Sequence, residues 1–291
     1  MMSLIVAPRL VKLTTRTEVD IKRSIPQPAL RRIGAWVFID HFGPTAQVDG
    51  MVVARHPHTG LQTVTWPFAG EVEHRDSEGS VQVLRPSELN LMTAGRGISH
   101  SELSLLGSTS LHAAQLWLAL PESARNVKPF FEHHAELPVL SLGSSSAKVF
   151  IGELGSAVSP ATTYSALVGA ELQISGEFTP PLDESFEHGI LVISGSVTVN
   201  GVPVGVDELI YLPVGESASV SGEGVALLLG GEPFTEHIVM WWNFIGRSHA
   251  EIVAWREAWN QQTPEWKNFE DRVGGWIPAP ELPNVTLQSR G

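Results

Sequence analysis

Short runs of Val, Ile, Leu and Thr, interrupted again and again by Gly or Pro, extend along the whole chain. The sequence contains 27 Gly and 20 Pro, and their even spacing between apolar runs favours many short strands over long helices. At 291 residues the chain is long enough for two domains, each with a core of its own. We therefore predict an all-β protein.

The second half of the chain repeats the order of the first. Gly70 and the Glu-Val after it align with Gly195 and its Ser-Val, and Ser-Glu-Leu at 87–89 aligns with Asp-Glu-Leu at 207–209. Both halves then read strand, glycine turn, strand, polar turn, strand and glycine. This repeat predicts a duplicated β-barrel.

Two pairs of polar residues at i, i+2 spacing lie in the first half: His56 with His58, and His100 with Glu102. Each pair would share one face of a strand, because successive side chains point to opposite sides of a sheet. One such pair is a weak signal, but two pairs together are stronger. Three imidazoles and a carboxylate suit iron, manganese, nickel, copper or zinc better than calcium or magnesium. We therefore predict one metal site.

The repeat also predicts that the second barrel lacks this site. Allowing for a slip of a residue or two, the positions that align with the four ligands are Pro181, Asp183, Val220 and Gly222. None of these four is a histidine. His188 lies nearby, but a single histidine is predicted to be structural.

Other polar residues near the predicted strands are interpreted without a metal. His41 is expected to hydrogen-bond a turn, and His74 to lie in the core or beside the ligands. Adjacent His133 and His134 would face opposite ways on a strand, which favours a solvated surface. Gln115 needs a partner on its apolar strand, either in the metal cavity or, as we favour, on neighbouring backbone.

Composition excludes several classes of function. The sequence has no cysteine, which rules out disulfides, thiolate metal sites and cysteine nucleophiles. The formal net charge of -12 disfavours direct binding to nucleic acid, which depends on clustered Lys and Arg. No basic segment precedes the short apolar run at the start, and no stretch approaches eighteen unbroken apolar residues. We expect a cytoplasmic protein that does not enter membranes.

The domain boundary is predicted from a Gly-Ser-Ser-Ser run at 143–146. We assign residues 1–135 to an N-terminal metal-binding barrel and 136–146 to a linker. Residues 147–291 would form a C-terminal barrel without metal ligands, ending in a helix and an aromatic tail.

The C-terminal region changes from strand to helix signals. Ser248 and Glu251 fit a capping box at a helix start. Apolar residues then recur at helical spacing, and the tail beyond them is too aromatic to be disordered. We expect this tail to pack back on a barrel. The helix face would contain Ile252, Trp255 and Trp259, and the tail contains Trp266, Phe269 and Trp276.

The first half contains four distinctive motifs: FIDHFGP at 38–44, HPH at 56–58, GEVEHRDS at 70–77 and MTAGRGISHSE at 92–102. These motifs resemble those of the pirin family, within the cupin superfamily. The resemblance implies two cupin barrels of jelly-roll type in tandem, with one metal, usually iron, in the N-terminal barrel. Carried over residue by residue, the implied ligands are His56, His58, His100 and Glu102.

The sequence departs from the family's usual pattern in two places. Gly-Leu-Gln-Thr at 60–63 stands where the family often has Gly-Phe-Glu-Thr, and Trp-Pro-Phe at 66–68 replaces an aromatic-Val-Leu run. Pro67 cannot donate to a β-ladder, so a bulge or an edge is expected there. These changes affect the shape of the substrate pocket and leave the ligands unchanged.

The resemblance implies one of two functions. Some family members are quercetinases, so we predict a dioxygenase, most simply iron-dependent, that acts with O₂ on a flavonol such as quercetin or a similar enol-bearing aromatic. Glu102 would then be the general base for the substrate hydroxyl. The alternative is a non-catalytic, redox- or metal-responsive regulator that binds a protein partner, which a net negative charge would suit. A purely structural metal is disfavoured, since an open-sided His/Glu site stabilises a fold less well than a closed tetrahedral site does.

Overall fold

A computed structural model describes residues 4–12, 20–45, 51–105, 110–270, 272 and 274–290. Within these residues the chain forms 22 strands and one helix, which confirms the predicted all-β class. The elements are β1 (Leu4–Val6), β2 (Arg9–Lys12), β3 (Asp20–Ile25), β4 (Trp36–Thr45), β5 (Val52–His58), β6 (Leu61–Ala69), β7 (Val72–Asp76), β8 (Val81–Leu84), β9 (Leu89–Thr93), β10 (Ile98–Ser104), β11 (Leu111–Ala119), β12 (Phe130–His134), β13 (Val139–Leu142), β14 (Ser145–Leu154), β15 (Ala157–Val158), β16 (Leu167–Phe178), β17 (Glu187–Val199), β18 (Val202–Val204), β19 (Leu209–Leu212), β20 (Val220–Gly231), β21 (Val239–Trp241), β22 (Phe244–Gly246) and α1 (His249–Asn260).

The first barrel belongs to a compact unit made of Lys12–Asp20, Phe42–His133 and Thr235–Gly291. One of its sheets has the antiparallel order β5-β10-β7-β8, and β12-β9-β6-β11 are neighbours in another. The pairing of β6 with β11 shifts register where Ala69 and Pro67 face consecutive residues, so Phe68 has no opposite residue. This bulge confirms the expectation from Pro67, because proline removes a ladder donor.

The second barrel belongs to a unit made of Met1–Val11, Ile21–His41 and His134–Phe234. Its strands pair in the order β1-β19-β17-β20-β16-β14-β13, with β15 against β14 and β18 against β17. Alternate residues of the long strands β16, β17 and β20 point into a core of Val, Leu, Ile, Ala and Phe side chains. This alternation is what a strand with one face on a core requires. The chain therefore has two β units, as the repeat predicts.

The two units interleave along the sequence, whereas the predicted boundaries were contiguous. Strand β1 pairs with β19, so the start of the chain belongs to the second barrel. The segment predicted as a linker, 136–146, forms much of the β13–β14 hairpin. The segment after residue 234, which the predicted boundaries place in the C-terminal barrel, groups with the first barrel. Composition could not reveal this, because a strand's partner can lie anywhere in the chain.

Helix α1 begins where the sequence predicted. The Ser248 side chain accepts from the backbone N–H of Glu251, whose side chain accepts from the N-cap backbone, which completes the predicted capping box. Ile252 and Trp259 are buried and Trp255 packs beside them. No helix in the described part of the chain has the length and apolarity needed to cross a membrane.

Candidate metal centre

Three histidines meet inside the first barrel, on the neighbouring strands β5 and β10. His56 and His58 share a face of β5, and the antiparallel register places His100 directly opposite His56. One ring nitrogen of each histidine lies within 4.8 Å of those of the other two. The ring centroids are 4.3 Å apart for His56 and His100 and 5.0 Å apart for His58 and His100. The i, i+2 spacing and one strand pairing therefore produce the cluster.

Hydrogen bonds fix which nitrogen of two rings faces the centre. His56 Nδ1 lies 2.9 Å from the carbonyl oxygen of Ala54, and His58 Nδ1 lies 3.2 Å from that of Asn243. A carbonyl only accepts, so each Nδ1 carries the proton and donates it. The Nε2 atom of each ring is left with its lone pair, which is the form that binds a metal.

The third ring, His100, has a buried nitrogen with no partner. Its Nδ1 lies 3.4 Å from His74 Nδ1, whereas its Nε2 makes no hydrogen bond. Leaving a buried polar atom unsatisfied is costly, so such an atom calls for an explanation. A metal ion at the centre of the three rings would satisfy it. The donor set therefore fits a first-row transition metal.

The protonation of the three rings agrees with that fit. Burial lowers the pKa of His56 to about 4. Burial, reinforced by the neighbouring histidines, lowers the pKa of His58 and of His100 well below the usual value. At neutral pH all three imidazoles are uncharged, and neutral imidazole is the metal-binding form.

Glu102 lies beside this cluster on the same strand. The β5–β10 pairing has a register shift between His100 and Glu102, while on the other side of β10 Glu102 lies opposite His74. A carboxylate oxygen of Glu102 lies within 4.8 Å of ring nitrogens of His74 and His100. Burial raises the pKa of Glu102. The carboxylate is thus adjacent to the histidine cluster, and its role as a ligand remains a prediction.

A polar chain reaches Glu102 from β6 and β11. The Thr65 hydroxyl lies 3.1 Å from Glu102 Oε1 and 3.1 Å from Gln115 Oε1. Gln115 lies opposite Thr65 across the β6–β11 pair. The backbone partner that the sequence favours for Gln115 is therefore not what the side chain contacts: its Oε1 meets the Thr65 hydroxyl, which links it to Glu102.

Residues of β22, of the turn before it and of helix α1 contact strand β5 and the residue that follows it. The carbonyl that accepts from His58 belongs to Asn243, in the turn between β21 and β22. The backbone N–H of Ile245 donates to the carbonyl of Thr59, and the Arg55 guanidinium lies 4.9 Å from the centre of a Trp259 ring. Sequence reasoning missed Asn243, since a backbone carbonyl carries no residue signal.

The remaining predicted histidines have other surroundings. His41 Nδ1 lies 2.7 Å from a carboxylate oxygen of Asp207, in agreement with a structural role. His133 Nδ1 lies 2.8 Å from Asn90 Oδ1 and is partly buried rather than solvated. His188 is buried in the second barrel and neither of its ring nitrogens has a hydrogen-bond partner. Among the described residues, both potential metal-binding groups lie in the first barrel.

Two β-barrels in one chain, with a histidine-rich centre in the first, define a bicupin. Residues 18–118 match the family model described as Pirin, and residues 167–264 match that of the Pirin C-terminal cupin domain. The chain belongs to the pirin family.

Relatives match almost the whole chain. A Pseudomonas aeruginosa protein, named provisionally as a quercetin 2,3-dioxygenase, is 41% identical over 91% of this chain and 86% of its own. A pirin-like protein of Caulobacter vibrioides is 33% identical over 90% of this chain and 94% of its own. The crystal structure of a quercetin 2,3-dioxygenase from Acinetobacter baumannii is 37% identical, with a TM-score of 0.94, and the match covers 99% of this chain and 97% of that one.

Proposed function

We propose that this protein is a mononuclear metal-dependent dioxygenase that acts with O₂ on a flavonol such as quercetin, or on a similar enol-bearing aromatic. One observation carries the proposal: three neutral imidazoles converge in a buried barrel interior with a carboxylate beside them. The two relatives whose names refer to quercetin 2,3-dioxygenase support the substrate class.

The proposed ligands are His56, His58, His100 and Glu102. Iron is the metal we favour, and manganese, nickel, copper and zinc suit the same donors. When bound, the metal supplies Lewis acidity toward a substrate enol and the redox chemistry that O₂ requires. With these four ligands in place, the metal would keep coordination positions open for small molecules.

In the proposed reaction the protein's own groups exclude water and take the substrate proton. None of the four proposed ligands is more than 7% exposed, so water is largely kept from the centre. Glu102 is the proposed general base for the substrate hydroxyl. The Thr65 hydroxyl lies 3.1 Å from Glu102 Oε1 and is placed to donate to that oxygen. In the proposed reaction the carboxylate would take the proton of the substrate hydroxyl.

Turnover of quercetin tests the proposal directly. Protein loaded with Fe²⁺ without oxygen is mixed with quercetin and O₂, and the loss of flavonol absorbance and the release of carbon monoxide are followed. His56→Ala should abolish both signals, because it removes a ligand. His237→Ala, at an exposed histidine, is the matched control and should leave them unchanged.

The competing function is a metal-responsive regulator that binds a protein partner. Full metal occupancy without turnover of flavonols or related enols would contradict the dioxygenase. Binding to a partner that depended on the oxidation state of the metal would then favour the regulator. The net charge of -12 would suit a partner with a basic surface.

A further inference from the structure

His74, on the neighbouring strand β7, lies at the Nδ1 side of the proposed ligand His100. In the β7–β10 register, His74 lies opposite Glu102 and Asp76 lies opposite His100. His74 Nδ1 is 3.4 Å from His100 Nδ1, and His74 Nε2 is 3.1 Å from a carboxylate oxygen of Asp76. All of these side chains are buried. The three groups thus form a continuous chain, carboxylate to imidazole to imidazole.

We propose that His74 and Asp76 are positioning residues, which hold His100 in the tautomer whose Nε2 can bind a metal. This inference rests on the metal centre of the proposed function, and it adds two residues that do not themselves touch the metal.

The proton positions follow from the donors and acceptors in the chain. An ionised Asp76 only accepts, so His74 Nε2 donates to it, and in the neutral form of the His74 ring Nδ1 then keeps its lone pair. His100 Nδ1 must then carry the proton that lies between the two rings. His100 Nε2 is left with a lone pair, and this is the buried nitrogen that lacks a protein partner.

The other two rings also donate from Nδ1, but to acceptors of a different kind. His56 and His58 donate from Nδ1 to the backbone carbonyls of Ala54 and Asn243. The acceptor behind His100 is instead a side chain, His74, whose ring is stacked on Phe131 at a centroid distance of 4.4 Å and an angle of 20°. An acceptor behind a ligating histidine fixes its tautomer and orientation and raises its basicity.

The orientation of Asp76 is set by a turn. Its Oδ1 accepts from the backbone N–H groups of Glu78, at 2.9 Å, and Ser80, at 3.0 Å, which leaves Oδ2 for His74.

In Asp76→Asn the amide oxygen would keep these turn bonds and the NH₂ group would face His74. His74 would then accept at Nε2 and donate from Nδ1, so that His100 would carry its proton on Nε2. That tautomer cannot bind a metal through Nε2.

A different assignment makes His74 itself a ligand. Potential ligand atoms of His74, His100 and Glu102 also lie within 4.8 Å of one another. Binding through His74 would release one of its two hydrogen bonds. The two assignments predict different protonation of the His74 ring, which can be measured.

Zinc affinity of the full-length metal-free protein provides the first test, by competition with a chromophoric chelator. Asp76→Asn and His74→Leu should each weaken zinc binding by about 10- to 100-fold, the usual effect of losing such a partner. His74→Asn should stay within a few-fold of the wild type, because Asn Oδ1 takes the place of Nδ1. His188→Leu, at a buried histidine of the second barrel, is the matched control and should bind zinc as the wild type does.

The second test needs no variant, so it stands even where a substituted protein fails to fold. Ring nitrogen NMR of ¹⁵N-histidine-labelled, zinc-loaded wild type should show His100 bound through Nε2 and His74 protonated at Nε2, with neither His74 nitrogen on zinc. A zinc-bound His74, or undiminished zinc affinity in both Asp76→Asn and His74→Leu, would overturn the inference and leave the proposed function standing. Absence of zinc binding to the wild type would overturn the metal centre itself, and this inference with it.

Discussion

His188 should make the second barrel sensitive to acid. Its imidazole is 1% exposed, and both ring nitrogens are buried without a partner. Burial lowers the pKa of His188 to about 4, an effect that the nearby carboxylate of Asp183 only partly opposes. In the unfolded chain the same group has its ordinary pKa of about 6.5.

The sign of the effect follows from where protons bind. Between about pH 6.5 and pH 4 the unfolded chain binds a proton at His188 and the folded chain does not. Stability therefore falls as the pH is lowered through this range and becomes independent of His188 below it. With about 1.4 kcal/mol for each pKa unit, the loss from this one group is about 3 kcal/mol.

The assay compares urea unfolding of the wild type and His188→Leu from pH 7.5 to pH 3.5, followed by circular dichroism and by amide-exchange protection of β17. Leucine removes the titrating ring and its unpaired nitrogens, so the variant should lose about 3 kcal/mol less than the wild type over this range. His237→Leu, at an exposed histidine, should follow the wild type. Parallel curves for the wild type and His188→Leu would refute the reasoning.

Three further predictions concern the first barrel and its helix. Gly60→Ala should destabilise more than Gly79→Ala: both have positive φ, but a Cβ at Gly60 would lie 2.1 Å from a backbone oxygen of β22, while nothing lies within 4 Å at Gly79. Gly79→Ala should cost only the backbone strain, about 1–2 kcal/mol in urea unfolding, and equal costs would contradict the close approach. Ser248→Ala should cost about 1 kcal/mol and speed amide exchange in the first turn of α1, and unchanged exchange would show that the cap is dispensable. Thr65→Val should lower the unfolding free energy of the metal-free protein by about 1–3 kcal/mol through the bond lost to buried Glu102, whereas a neutral effect would mean that the carboxylate finds another donor.

The sequence by itself determined the class of fold and the faces of the strands. Glycine and proline spacing set the strand lengths, and the repeat set the number of barrels. Period-two alternation placed His56 and His58 on one face of β5, since this depends only on local backbone geometry. The capping box of α1 is equally local. Such features could be predicted because the residues that cause them are neighbours in the chain.

Tertiary structure decided how these pieces combine. The pairing of β7 with β10 brought His74 and Asp76 behind His100, although β7 and β10 are separated by two other strands in sequence. The segment after residue 234, whose Asn243 carbonyl accepts from His58, groups with the first barrel and not with the C-terminal barrel that the predicted boundaries gave it. The physical reason is the same in both cases. Burial and strand pairing stabilise contacts whatever the sequence separation of the residues that make them. A backbone carbonyl accepts a hydrogen bond because of where it lies, whatever the side chain of its residue.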